Sequence, residues 1–201
     1  MKKSITKEQI LTTALDLMRK KNELRSLNLR EIARTLGCAH TNLYNYFSSY
    51  TDLLWETHTN LQEEFMIIMR NNLLATTTAE MKQFCFFHTF LQIYLENKGW
   101  FRLAWLEYIG EDRPESNCIA TQKAHLELVQ FASEIWTEMK GVTPPTETID
   151  KVVHNIHCYI IGEVSNFISG RGLLKNEAEL KEYVVHQAVG MFTLYMGGDT
   201  N

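Results

Sequence analysis

The segment from Asn28 to Phe47 constrains this chain most, because it predicts two short helices joined by a turn. Asn28 and Glu31 stand three residues apart, as in a capping box, and this pattern fixes the start of the first helix. Leu27 and Ile32 occupy the two positions of a hydrophobic staple, which also marks a helix start. Two separate patterns therefore mark the start of the first helix of the pair.

The second helix of this segment has too few apolar residues to be buried. Gly37 follows the last apolar position of the first helix, where a residue with positive φ ends a helix at little cost. Leu43 and Phe47 then lie four residues apart on one face. The side chains pointing elsewhere are polar: His40, Thr41, Asn42, Tyr44 and Asn45. A supporting helix followed by one with an exposed polar face is typical of a helix-turn-helix, whose second helix meets base edges and phosphates.

Charge is divided unevenly along the chain. The net charge of the 201 residues is -4, which by itself argues against binding to nucleic acid. Residues 1–51, however, carry nine Lys and Arg against four Asp and Glu, whereas the remainder carries eleven against twenty. A basic head on an acidic body is expected where only the head contacts phosphate, with chance clustering on a solvated surface as the alternative.

The rest of the sequence predicts helices throughout, since only 3 prolines occur and no long run alternates apolar with polar residues. We expect an all-α fold of about nine helices, with a three-helix head over residues 1–50 and a larger helical domain over 51–201. Capping patterns mark helix starts at Thr6 with Gln9, Ser49 with Asp52, and Asn176 with Glu179. The helix from about 79 to 97 is apolar nearly all round, which predicts a central buried helix ended by Gly99.

Several classes of function lack their signals in this sequence. The 4 cysteines are far apart, which favours buried thiols in a reducing compartment. No signal peptide is evident, and the apolar tract from Phe84 to Leu95 is too short to cross a bilayer, so we expect a cytoplasmic protein without membrane contact. No catalytic motif, phosphate-binding loop or cofactor motif occurs, and His154 with His157 supply only two metal ligands. We therefore expect no enzyme, no metal and no cofactor.

The first 55 residues resemble the head of a tetracycline-repressor-like (TetR) transcriptional regulator. The resemblance is carried by four elements: Ile32-Ala33, Gly37, Leu43-Tyr44-Asn45-Tyr46-Phe47 and Ser49-Tyr50-Thr51-Asp52-Leu53. It implies a homodimer that binds a palindromic operator in double-stranded DNA, most often as a repressor. It also implies a body that binds a small-molecule effector and dimerises through its last two helices, here 146–169 and 177–196.

This sequence departs from the family pattern at three positions. Ala39 replaces the serine that caps the reading helix, which costs about 1 kcal/mol of cap stability unless Thr41 or the turn supplies another acceptor. Tyr50 replaces the phosphate-binding lysine at the start of the next helix, and Thr51 replaces its glutamate partner. We expect the reading helix to depend on DNA for order, and binding to depend less on salt than in the family.

The predicted DNA contacts are Asn28, Arg30, His40, Thr41, Asn42, Tyr44, Asn45, Tyr46 and Tyr50. Asn42 and Asn45 are the expected base readers, because an amide pairs with N6 and N7 of adenine. The alternative is that asparagine is present because it tolerates a turn. Tyr44 is expected to bind phosphate, whereas Tyr46 equally suits aromatic packing beneath the head.

Candidate effector-binding residues are apolar with a few polar groups, as pocket linings are. They are Phe87, His88, Leu91, Trp105, Tyr108, His125 and Tyr159, with an ordinary core as the alternative for each. A second hypothesis for the whole chain is a helical small-molecule-binding protein or enzyme whose DNA-binding head is vestigial. Ala39 and Tyr50 are the residues that favour it.

Overall fold

The computed structural model describes residues 5–20, 28–110 and 112–197, which are mostly helical and contain no β-strand. The all-α prediction is confirmed. The elements are α1 (Lys7–Lys20), α2 (Leu29–Leu36), a 3-10 helix (His40–Asn45), α3 (Tyr50–Leu74), α4 (Ala79–Glu96), α5 (Lys98–Phe101), a π-helix (Arg102–Leu106), α6 (Glu115–Lys140), α7 (Thr146–Ile168) and α8 (Glu177–Gly197). The last two agree closely with the predicted helices 146–169 and 177–196.

The predicted caps are formed. Thr6 Oγ1 accepts the Gln9 backbone N–H at 3.2 Å, and Gln9 Oε1 accepts that of Thr6 at 3.1 Å, so the box before α1 is reciprocal. Ser49 Oγ accepts the Asp52 N–H at 3.0 Å ahead of α3. Asn176 Oδ1 accepts two backbone N–H groups at the start of α8, at 2.8 and 3.1 Å. These short-range bonds fix where each helix begins.

The chain folds into two compact units, each made of two segments. The first comprises the described parts of Met1–Glu64 and Glu96–Thr121, and the second comprises Phe65–Leu95 and the described part of Gln122–Asn201. The unit that contains the predicted head therefore extends beyond the predicted boundary at residue 50. It includes the first turns of α3 and a later segment that the sequence pattern assigned to the body.

The first unit has its own core, built around Trp100. This side chain is 1% exposed, and its Nε1–H donates to the Leu15 carbonyl of α1 at 3.2 Å. The Arg19 guanidinium lies 4.2 Å from the Trp100 ring centre, so α1 and α5 pack together through one aromatic side chain. Ile10 and Ala14 of α1 are fully buried in the same unit.

The second unit is centred on an aromatic cluster. The Phe90 ring lies 5.2 Å from that of Phe65 and 5.4 Å from that of Phe86, while Phe192 of α8 packs edge-on against Phe87 and Trp136. Offset and edge-on contacts of this kind add to the free energy gained by apolar burial. The inner face of α4 is therefore buried, as the sequence predicts.

Two expectations about α4 are corrected. It is not buried all round, because Met81 and Phe84 are each 53% exposed on its outer face. Gly99 does not end it either: α4 ends at Glu96, and Gly99 lies buried within α5. Hydropathy alone does not reveal which apolar residues find a packing partner.

The described residues bear on two expectations, one about a membrane-spanning helix and one about the cysteines. None of the described helices is long and apolar enough to cross a membrane. All four cysteines are free thiols, but none is buried as predicted: Cys38 and Cys85 are half-buried, and Cys118 and Cys158 are exposed.

Candidate nucleic-acid interface

The supporting helix α2 is held as its sequence predicts. Asn28 Oδ1 accepts the Glu31 backbone N–H at 3.0 Å, and Ile32 and Ala33 are buried. Gly37 has φ 70°, and the backbone N–H groups of Gly37 and the next residue return to carbonyls of the last turn. Since an added Cβ would meet nothing within 4 Å, the requirement for glycine comes from this left-handed conformation and not from crowding.

The reading segment, His40–Asn45, is a 3-10 helix. No side chain caps its start at Ala39, as predicted, and the Asn42 N–H bonds instead to the Ala39 carbonyl at 3.0 Å. Bonds between residues three apart satisfy backbone groups that a serine cap would otherwise serve, which accounts for the tighter winding. Leu43 and Phe47, 1% and 2% exposed, anchor the segment to the first unit.

The 3-10 winding decides which polar side chains act together. With three residues per turn, Asn42 and Asn45 lie on one side of the helix, about 6 Å apart along its axis, and Thr41 and Tyr44 lie on another. His40 and these four side chains are all exposed. The segment thus presents two stacked amides beside a hydroxyl and a phenol, with the apolar anchors turned inward.

The three tyrosines in and just after the reading segment differ in environment. Tyr44 is 52% exposed and its phenol is accessible to a phosphate. The Tyr46 hydroxyl donates to the Ile5 carbonyl, which supports the packing alternative for this residue. Tyr50 is half-buried at the start of α3, and burial raises the pKa of its phenol. Tyr44 therefore remains the strongest phosphate contact among the three.

The predicted contacts on α2 lie on its accessible side. Arg30 is exposed in the first turn of the helix. The Asn28 side chain is also exposed, although its oxygen already serves the helix cap. Leu27, expected to form the staple with Ile32, lies outside the described residues.

The seven predicted effector contacts are divided between the two units. Phe87 and Leu91 are core residues, and His125 Nε2 pairs with Asp150 Oδ1 at 2.6 Å. Trp105 and Tyr108 belong to the first unit, where both are substantially exposed. The ordinary-core alternative thus fits the first pair. Aromatic character, the property that suggested these residues, also fills cores.

The last two of the seven predicted residues, His88 and Tyr159, lie in the second unit. His88 stacks on Phe84, with ring centres 5.5 Å apart, and both line a mostly apolar cleft of about 440 Å³ between α4 and α8. The Tyr159 hydroxyl is buried without a hydrogen-bond partner, and burial raises the pKa of this phenol to about 12. Of the seven predicted residues, His88 is the one that lines the cleft between α4 and α8.

Sequence reasoning missed a polar cluster in the first unit. The Asn117 side chain, 1% exposed, approaches the Trp55 carbonyl at 3.3 Å, His58 Nδ1 at 3.1 Å and Thr59 Oγ1 at 2.8 Å. Arg113 Nε donates to Asn117 Oδ1 at 2.8 Å. Burial, with the nearby Arg113 charge, lowers the pKa of His58 to about 4, so this ring is neutral at pH 7. No local sequence pattern pointed to the cluster, because Asn117 lies about 60 residues along the chain from its partners on α3.

No protein-family model and no curated protein matches the sequence. Solved structures do match it over nearly its whole length. FadR from Bacillus subtilis in complex with stearoyl-CoA superposes with a TM-score of 0.67 at 16% identity, covering 92% of this chain and 99% of that one. A TetR variant from Acinetobacter baumannii in complex with minocycline gives 0.65 at 13% identity, covering 96% and 97%. A TetR-family regulatory protein from Rhodococcus gives 0.66 at 16% identity, covering 94% and 98%.

The chain accordingly has the fold of the TetR-family transcriptional regulators. More than nine-tenths of the chain superposes on these structures.

Proposed function

We propose that this protein is a DNA-binding transcriptional regulator, acting as a homodimeric repressor on a palindromic operator. The observation that carries the proposal is the exposed face of the reading segment. Asn42 and Asn45 are aligned there and Tyr44 is accessible, while Leu43 and Phe47 hold the segment on its support. Polar side chains of these types, carried on a short helix after a supporting helix, suit hydrogen bonding in a major groove.

The proposed dimer forms through α7 and α8. These helices pack on one another, and the outer face of α8 exposes Tyr183 and Leu194, the latter at 77%. Gly190 lies between them at helical spacing, where the lack of a side chain permits close approach of another helix. A second copy of the same pair would complete a four-helix interface and place two reading segments for half-sites about 34 to 36 Å apart.

A small-molecule effector is part of the proposal. The structural neighbours in complex with minocycline and stearoyl-CoA support this class of partner. An effector that binds one conformation better than the other would shift operator affinity, typically by 1 to 3 kcal/mol of coupling. The proposal includes no catalytic step, metal or cofactor.

The decisive experiment is a fluorescence-anisotropy titration of the purified protein with the DNA upstream of its own gene, at several salt concentrations. We expect specific binding with a salt slope below the family's, because Tyr50 brings no charge to a phosphate. A scrambled duplex of the same composition is the control.

The competing function is a small-molecule-binding protein or enzyme with a vestigial head, which the uncapped Ala39 and the neutral Tyr50 favour. Equal affinity for the scrambled duplex, or no binding at low salt, would support this alternative and exclude the regulator.

A further inference from the structure

A polar cleft of about 650 Å³ lies within the first unit, in the size range of small-molecule sites. One wall is the start of α3, with Asp52 and Trp55, and the other is the loop before α6, with Tyr108 and Asp112. The α3 wall begins directly after the Phe47 anchor of the reading segment. Neither the core nor the proposed DNA contacts account for this cleft.

The two walls meet at Gly110. Its φ is 146°, and a Cβ on it would stand 2.8 Å from Thr51 Cγ2, closer than side-chain contacts allow. Glycine therefore lets the loop backbone approach α3. The width of the cleft follows from this close approach, because a larger residue would push the loop away.

The negative charge of the cleft favours a cation over an anion. Asp52 and Asp112 are its charged lining residues, and none of the described residues that line it is Lys, Arg or His. Asp52 is held in place, because its Oδ2 accepts the Ser48 N–H at 2.9 Å and the Ser48 hydroxyl at 3.1 Å. Although the start of a helix attracts anions, this carboxylate already occupies the first turn of α3.

The aromatic side chains favour an organic cation over a metal ion. Trp55 and Tyr108 both line the cleft, and Tyr108 is 77% exposed. The Arg113 guanidinium lies 5.6 Å from the Trp55 ring centre and donates to Asn117 and Thr121. The aromatic surface that faces a ligand is therefore that of Tyr108 together with the part of Trp55 that lines the cleft. Aromatic faces attract ammonium groups, and carboxylates complete the charge balance.

We propose that the cleft between α3 and the loop before α6 binds a small organic ammonium compound between Asp52, Asp112 and the Trp55 and Tyr108 rings. The inference goes beyond the proposed regulator and does not depend on DNA binding. It places a ligand site within the unit that carries the reading segment, separate from the α4–α8 cleft of the second unit.

The test compares benzylamine, a cation at pH 7, with benzyl alcohol, its neutral counterpart of similar size, by calorimetric titration of the full chain. We expect benzylamine to bind at least about tenfold more tightly, and the affinity to fall with added salt. In ¹⁵N-correlated spectra, the Trp55 indole N–H signal, assigned with Trp55→Phe, should shift more than those of the other three tryptophans.

Asp52→Asn and Asp112→Asn should each weaken benzylamine binding about fivefold, since asparagine keeps an acceptor for the Ser48 contacts but removes the charge. Asp16→Asn on α1 makes the same change of charge away from the cleft and should leave affinity unchanged. Equal affinity for the amine and the alcohol would overturn the proposal, as would no detectable binding of either. The proposal would also be overturned if Asp16→Asn weakened benzylamine binding as much as Asp112→Asn does. Asp112 lies in an exposed loop, so its substitution carries little folding risk. Because no DNA is present, these outcomes are separate from the fate of the proposed regulator.

Discussion

At the scale of single residues, the proposed interface divides into side chains that read bases and side chains that position the head. Asn42 and Asn45 can form paired hydrogen bonds with a base edge, whereas a phenol such as that of Tyr44 suits a phosphate oxygen. These two roles predict different consequences of substitution. The exposed positions of all three side chains make the substitutions informative, because none removes a core contact.

Asn45→Ala is expected to change sequence preference, and Tyr44→Phe to weaken binding to all sequences. Loss of a bidentate amide contact costs about 1 to 3 kcal/mol of discrimination at one base pair. Loss of a phosphate contact carries no sequence information. A binding selection from random duplexes, run on both variants and the native chain, measures the difference. Unchanged preference in Asn45→Ala would remove this residue from the base readers.

The buried His157 makes stability depend on pH. Burial, together with the nearby His125 and His154, lowers the pKa of His157 from 6.5 to about 4, and its Nε2 lies 2.8 Å from the Tyr94 hydroxyl. Between these two values the unfolded chain binds the proton that the folded chain excludes. Stability is therefore complete above pH 6.5 and falls as the pH drops towards 4, by at most about 1.4 kcal/mol per pH unit.

His157→Gln should reduce that slope by about one proton, because glutamine keeps a polar group near Tyr94 but does not titrate. Urea unfolding at pH 4.5, 5.5 and 6.5 measures the slope, with His186→Gln on the exposed side of α8 as the control. His58 contributes a similar slope in the first unit, since its pKa is also lowered to about 4. An unchanged slope in His157→Gln would show that His157 binds its proton as readily in the folded chain as in the unfolded one.

At the scale of elements, the reading helix, His40–Asn45, differs from its neighbours α2 and α3 in how its start is held. The helices α1, α2, α3 and α8 each begin with a side-chain cap, whereas the 3-10 helix begins at Ala39 without one. Two apolar anchors hold it instead. An element held by anchors and lacking a cap opens more easily at its free end.

Ala39→Ser is expected to stabilise the start of the reading helix by about 1 kcal/mol. Hydrogen exchange of the amides from Thr41 to Leu43 should slow about fivefold in the free protein. Ala39→Val, whose side chain offers no acceptor, serves as the control. If both variants exchange alike, the carbonyl bond from Ala39 already provides all the stabilisation this end requires.

The helices also show how much of the fold could be predicted from sequence. Helix starts were predictable because a cap joins residues two or three apart, and α7 and α8 were predictable because their apolar residues repeat at helical spacing. The 3-10 winding of His40–Asn45 and the π-helix Arg102–Leu106 were not predicted. Both depend on how the ends of these segments meet their neighbours.

At the scale of the whole molecule, the proposed function requires two copies. Leu194→Glu places a charge on the exposed face of α8 and should convert the dimer to a monomer, since a buried unpaired charge is costly. Light scattering measures the mass, and anisotropy measures the loss of operator affinity. Leu126→Glu on α6 is the control, because it makes the same substitution at an exposed leucine outside the proposed interface. A dimer that persists in Leu194→Glu would place the interface elsewhere.

The sequence by itself determined the helical class, the position of the helix-turn-helix and the polar identity of its reading face, because these depend on neighbours within one or two turns. Only the tertiary structure decided that the Tyr46 hydroxyl contacts the Ile5 carbonyl, that Phe84 stays exposed and that the predicted effector contacts are divided between two units. It also brought Asp52 and Asp112 to one cleft across about 60 residues of chain. Such outcomes depend on contacts between distant segments, which no local pattern encodes.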